Sequence, residues 1–592
     1  MNVPASPHAA RLAAVRSLLA REGVDGFLVP RADEHLGEYV PPSAERLAWL
    51  TGFTGSAGLA VVLRDRAAMF ADGRYTLQLA QETDPALFEP HHLVEEPPPG
   101  WLAAAAPGAR IGYSPWLHSE EALRAYTEAG LQLIPLAVNP VDEAWTDRPA
   151  PPRSPAVPHA LGYAGRSSAE KRAEVGAALR KAGQDAAVIT DPASLAWLLN
   201  IRGGDVPYTP LALGFALLRA DEGMDLFMDA AKLGPETRAW LGNGVGLHEP
   251  AALPGALAGL GGKRVRVDAA GSPAWFAQAL RAAGAEVVAG GDPCALLKST
   301  KDAAEQDGAR AAHARDALAL CRFLCWLDGA ARRGETEVSA AEHLLALRAE
   351  LPLFQGESFP AISGAGEHGA VIHYRVTPES DRSIQADEVY LIDSGAQYLD
   401  GTTDVTRTVW TGPGMPPDAI RERFTRVLQG HIALATLRFP EGVTGPHVEA
   451  FARRALWQVG LDYDHGTGHG VGSYLSVHEG PASLSRAGRP VALAAGMILS
   501  DEPGYYEPGA YGIRLENLLL VRRANGLGAR KPFLEFETLT LAPFDRQLIE
   551  PALLAADERA WLDGYHARAL AEVGPGLDGD ARTWLERACA PL

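Results

Sequence analysis

Cysteine is scarce in this 592-residue chain, which carries only Cys294, Cys321, Cys325 and Cys589. Their spacing builds neither a disulfide framework nor a complete zinc site. Cys321 and Cys325, four apart on a helical stretch, read as ordinary buried thiols. Runs of Lys and Arg are missing too, and the net charge is −19. This argues against nucleic acid or an anionic membrane as the main partner. The most apolar runs, such as LALGFALL at 211–218, stop short of the roughly 18 residues a spanning helix needs. At the N-terminus Arg11, Arg16 and Arg21 interrupt the apolar residues, so an amphipathic helix is expected there and not a signal peptide. These absences leave a cytoplasmic protein without a membrane span as the expectation.

The length exceeds what one core supports, so two to four domains are expected. Residues 9–30 read as a helix followed by the strand GFLVP, and 46–75 as a helix followed by the strands AGLAVVL and AAMFADGRY. A proline-rich connector at 146–160 ends this first module. The same order then returns, and RLAWLTGFTGSAGLAVVL in the first block is echoed by LAWLLNIRGGDVPYTPLALGFALL in the second. A diverged duplication follows: two related α/β modules, residues 1–150 and 151–298, ahead of a third domain at 299–592.

The third domain changes texture. A long helical stretch from about Thr300 and another from Ser339 to Glu350 precede the strands AVIHYRV (370–376), EVYLID (388–393) and TDVTRTVW (403–410). Two helices follow, at about 418–438 and 445–459; in the second, Val448, Phe451, Ala452, Ala455, Leu456 and Val459 repeat at helical spacing. MILSDE, GIRLENLLLV and FETLTLA complete a largely antiparallel sheet with helices outside, an α+β domain.

Within it lie five side chains of metal-binding type: Asp393, Asp404, His469, Glu502 and Glu516. Asp393 ends an apolar strand and Asp404 opens the next, where unpaired charge is costly. Glu516 sits among leucines in what reads as mid-strand. The glycines around His469, in HGTGHGVG, allow the backbone to approach a ligand closely, and their spacing fails the dinucleotide-loop pattern. Carboxylates with one imidazole suit Mn, Co, Fe or Zn better than they suit a structural zinc site. Four carboxylates are enough to bridge two divalent ions about 3.5–4 Å apart, an arrangement suited to metal-assisted hydrolysis.

The phrases VIHY, LIDSGAQYLDGTTDVTRT, HGTGHGVGSYLSVHEGP and DEPGYYEPGAYGIRLEN resemble the pita-bread metallopeptidases of family M24, specifically the long, three-domain aminopeptidase P (Xaa-Pro aminopeptidase) type. The resemblance covers nearly the whole chain, and no motif position is substituted. It implies two creatinase-like N-terminal domains and a C-terminal pita-bread catalytic domain. In it Asp393 chelates one ion, Asp404 and Glu516 bridge, and His469 and Glu502 complete the second site, usually with manganese, zinc and cobalt being alternatives. His373, His465 and His478 match the active-site histidines, Arg74 matches a substrate-contacting arginine, and Arg514 is a further candidate for the substrate lining. The resemblance also implies a homodimer.

The activity implied is release of the first residue from a peptide with proline second, by attack of a hydroxide held between two metals. Glu502 would take and return the proton, and His373 or His478 would stabilise the oxyanion. A prolidase, which cuts only dipeptides, shares the third-domain motifs, but the duplicated front modules argue against it. Creatinase lacks the ligands found here, and a non-catalytic pita-bread binding protein would have lost them.

Overall fold

The computed structural model describes residues 6–526, 528 and 530–592. The chain divides into two compact units, one up to Ala295 and one from Leu296 onward. No helix among the described residues is long and apolar enough to cross a membrane.

In the front unit, short segments of four or five residues form two six-stranded sheets. The first comprises Gly26–Pro30, Leu59–Leu63, Ala67–Ala71, Glu89–His92, Arg110–Tyr113 and Gln132–Pro135. The second comprises Ala186–Ile189, Phe215–Arg219, Met224–Phe227, Val245–His248, Arg264–Val267 and Glu286–Ala289. Numbered along the chain within each sheet, the order is 4-3-2-1-5-6 in both. Strand directions match as well: 1 with 2 and 2 with 3 are antiparallel, while 1 with 5, 3 with 4 and 5 with 6 are parallel. The echoed phrases fall on equivalent elements, since RLAWLT is the helix Arg46–Thr51 and LAWLL lies in the helix Pro192–Leu199, each between strands 1 and 2. The proline-rich connector is extended, with Val157–Pro158 laid against Ile201–Arg202.

In the rear unit the helix Ala303–Leu327 starts at a capping box, Asp302 and Glu305 each bonding the other's backbone N–H. Beyond it, Ile362–Ala365, Val389–Ser394 and Val405–Trp410 make a three-stranded antiparallel sheet. A six-stranded antiparallel sheet runs Arg438–Pro440, Phe533–Thr538, Asn517–Arg523, Ile498–Asp501, Gly468–Gly470, Glu479–Leu484. The helices Asp418–Ala435, Gly445–Trp457 and Ala556–Val573 pack apolar side chains, among them Phe424, Leu428, Leu456 and Leu562, into the same cores.

Three local expectations fail. AVIHYRV is not a strand: after the short helix Gly366–Ala370 it turns, and the Tyr374 hydroxyl donates to buried Glu337 at 3.0 Å in place of a ladder. GIRLENLLLV is two strands, Tyr511–Arg514 pairing with Gly504–Glu507 and Asn517–Arg523 with Ile498–Asp501. On the helix Gly445–Trp457, Val448, Ala452 and Leu456 are buried, but Phe451 is exposed, and so is Val459 just beyond it.

Candidate metal centre

Each acidic residue of the site owes its position to a strand end. Asp393 and Thr406 face each other across the antiparallel pair Val389–Ser394 and Val405–Trp410, which puts Asp404 at the mouth of the same pair. Glu516 stands where the chain leaves one sheet for the other. Its N–H reaches the Thr406 carbonyl at 3.2 Å and its carboxylate accepts from the Thr406 hydroxyl at 2.8 Å. The glutamate expected in mid-strand is thus a switch-point residue, tied by backbone to the strand that follows Asp404. Glu502 follows the strand Ile498–Asp501, its N–H bonded to the Thr467 carbonyl.

His469 occupies the short strand Gly468–Gly470. Its Nδ1 donates to the Gly470 carbonyl at 2.9 Å, leaving Nε2 3.5 Å from both Asp404 Oδ2 and Glu502 Oε1. Fixing one ring nitrogen so that the other faces a site is what an imidazole ligand requires. The flanking glycines serve strand packing and not a ligand: a Cβ on Gly468 would lie 1.9 Å from the Ser500 carbonyl oxygen, and one on Gly470 2.2 Å from that of Glu479.

The charges do not balance. Asp393, Asp404 and Glu516 are buried, with Glu502 at their edge. Burial pushes the Asp393 carboxyl up to about 6 even though the Arg514 guanidinium pulls the other way. Burial and the neighbouring Asp404, Asp393 and Glu502 hold Glu516 well above the usual carboxylate range. Glu502 is raised by burial as well, against the pull of His469. Burial alone would lower His469, yet its bond to Asp404 and the charge of Glu502 raise it to about 9. Such a cluster is stable only with bound protons or cations. Two observations fit divalent ions. Asp404, His469 and Glu516 offer ligand atoms all within 4.8 Å of one another, and Asp393 Oδ1 is buried without a hydrogen-bond partner.

Around the carboxylates runs a hydrogen-bonded chain. Arg514, buried, donates from Nη2 to Asp393 at 2.7 Å and from Nη1 to the Tyr506 hydroxyl at 2.7 Å. That hydroxyl lies 2.9 Å from His465 Nε2, and His465 Nδ1 faces the Gly466 carbonyl at 2.7 Å. The guanidinium of Arg514 is therefore spent on residues of the chain. Tyr506 and Thr406 belong to this machinery and were not singled out in the sequence; the only signal was their place beside Glu502 and Asp404. His478 meets His469 edge to face, ring centroids 4.3 Å apart. His373 lies half-buried in the turn that replaces the expected strand. Arg74, in the front unit, makes a two-pronged pair with Asp72 at 2.8 and 3.0 Å.

The profile of Metallopeptidase family M24 matches residues 307–523, and that of the C-terminal region of peptidase M24 matches 532–592. Two Creatinase/Prolidase N-terminal domain profiles match 11–138 and 147–305. A probable Xaa-Pro aminopeptidase P of Laccaria bicolor is 40% identical over 98% of this chain and 93% of its own. The crystal structure of X-prolyl aminopeptidase from Caenorhabditis elegans, described as a cytosolic enzyme with a di-nuclear active site, superposes with a TM-score of 0.94 at 33% identity, covering 99% of this chain and all of that one. Dipeptidase PepE of Mycobacterium ulcerans, 26% identical with a TM-score of 0.50, covers 63% of this chain and 95% of its own. With a full-length relative at that identity and a catalytic region that fits the same profile, the chain belongs to metallopeptidase family M24, among the proteins built with two creatinase-type N-terminal domains.

Proposed function

We propose that this chain is a metal-dependent aminopeptidase that releases the N-terminal residue from peptides with proline in second position. The observation that carries this reading is the convergence of Asp404, His469 and Glu516 within 4.8 Å, on a chain similar end to end to Xaa-Pro aminopeptidases. Asp393, Asp404, His469, Glu502 and Glu516 would hold two divalent ions, manganese before zinc or cobalt. When bound, such ions acidify a water nucleophile and polarise the scissile carbonyl.

The chain's own residues do the rest. Asp393 is held by Arg514, which fixes the carboxylate and favours its charged form. Glu502, its carboxyl raised by burial, takes the proton from the attacking water and returns it to the leaving amine. His373 or His478 supplies a hydrogen bond to the developing oxyanion. His465, oriented by Tyr506, lines the substrate side. The reading includes a cytoplasmic homodimer.

The dipeptidase alternative is disfavoured by length, because PepE covers only 63% of this chain whereas the C. elegans enzyme covers 99%. Turnover of an Xaa-Pro dipeptide compared with an Xaa-Pro-Xaa tripeptide, after manganese loading, separates the two. The tripeptide is expected to be cleaved and the dipeptide to be the poorer substrate; cleavage of the dipeptide alone would replace this reading with a prolidase.

A further inference from the structure

His478 is followed by a residue that nothing in the proposed mechanism uses. Glu479 is buried, and its carboxylate lies between two buried ammonium groups: Lys298 Nζ donates at 3.0 Å and Lys301 Nζ to the other oxygen. The two lysines are themselves fixed. Lys301 N–H bonds the Gly496 carbonyl at 2.9 Å, and Thr300 bridges Met497, at the root of the strand that leads to Glu502.

A buried cluster of three charges is a poor source of stability, because desolvation offsets most of the attraction and apolar replacements are often neutral or better. Its use is geometric. The strand Glu479–Leu484 pairs with Gly468–Gly470, and between the pairs His469↔Ser483 and Gly470↔Glu479 the register shifts. Gly480 and Pro481 fall in this gap, and Pro481 has no N–H to offer a ladder. Between Glu479 and Ser483 the strand has no ladder pair to Gly468–Gly470, so the pair at Glu479 is the one rung beside His478, whose ring lies 4.3 Å from that of His469. A side-chain clamp replaces the missing rungs.

We infer that Glu479, gripped by Lys298 and Lys301, is a positioning residue that sets His478 against His469. The inference rests on the aminopeptidase reading, in which His478 serves the oxyanion. A displacement of about 1 Å in such a group costs on the order of 100-fold in rate.

A double-mutant cycle tests it on the full-length, manganese-loaded enzyme with an Xaa-Pro-Xaa peptide: Lys301→Met, His478→Ala and the pair, with Lys298→Met as a second clamp variant should the first not fold. Expected is a fall of about tenfold or more in kcat/KM for Lys301→Met with metal content unchanged, nearly absent in the His478→Ala background, with partial rescue by Lys301→Arg. A crystal structure of the clamp variant should show the His478 ring displaced from His469. An equal loss in both backgrounds, or a His478 ring that stays in place, overturns the inference while leaving the aminopeptidase reading intact. A wild-type enzyme inactive on the peptide overturns that reading and this inference with it.

Discussion

Two buried acidic clusters in the rear unit show what burial alone does not decide. Asp316 is as buried as Asp393, yet Arg348 grips both of its oxygens at 2.9 Å and the Tyr398 hydroxyl adds a bond at 2.8 Å. Both carboxylate oxygens have partners there and a guanidinium matches the charge, so the pair is balanced without a ligand. Around Asp393, four carboxylates share one buried guanidinium and the imidazoles of His469 and His478, and among the described residues Asp393 Oδ1 has no hydrogen-bond partner. Arginine supplies a matching fork in both places; the difference is stoichiometry. A paired buried acid braces the fold, whereas a surplus of acids calls for cations.

The contrast breaks first at Asp404. Asp404→Ala or His469→Ala should abolish cleavage of an Xaa-Pro peptide and lower metal content, read by turnover and elemental analysis; a purified variant with normal turnover would put the chemistry elsewhere. A smaller effect is expected at the single guanidinium. Arg514→Met removes the guanidinium that binds Asp393 and should weaken metal affinity by about 10- to 100-fold, the usual scale for a residue that orients a ligand, measured by competition with a chelator. Affinity at the wild-type level would make Arg514 a bystander. Catalysis should change least on the balanced side. Asp316→Ala leaves Arg348 buried and unpaired, which costs about 3–5 kcal/mol of stability, but the fraction that folds should keep its kcat/KM and metal. Lost metal in that variant would erase the distinction between the two clusters.

Much of this is legible in the sequence. An aspartate closing the apolar strand VYLID and another opening VTRTVW point to charge that must be compensated, and the structure brings them to one mouth. The echo between the front modules announced their common topology, because the phrase falls on the same helix and strand of each. What the sequence hid was mostly tertiary. Glu516 looks mid-strand because leucines flank it, and only partner choice divides that run into two strands. AVIHYRV has the apolar content of a strand, but Tyr374 finds buried Glu337 and the segment turns. Phe451 and Val459 keep helical spacing yet face outward, since periodicity gives a direction and not the width of the face that is covered. The HGTGHGVG glycines signalled close approach correctly, but the approaching atoms are carbonyls of neighbouring strands. The bond of Tyr506 to His465 and the two-lysine clamp on Glu479 could not be read from spacing, because those partners are distant along the chain.

The surplus of buried carboxylate exists to hold metal for peptide cleavage. The most direct measurement is calorimetric titration of the chelator-stripped protein with manganese, followed step by step with turnover of an Xaa-Pro-Xaa peptide. Saturation at two ions per chain, with activity returning as they bind, is the predicted result. Full cleavage by the stripped protein, or saturation with no cleavage at all, would contradict it.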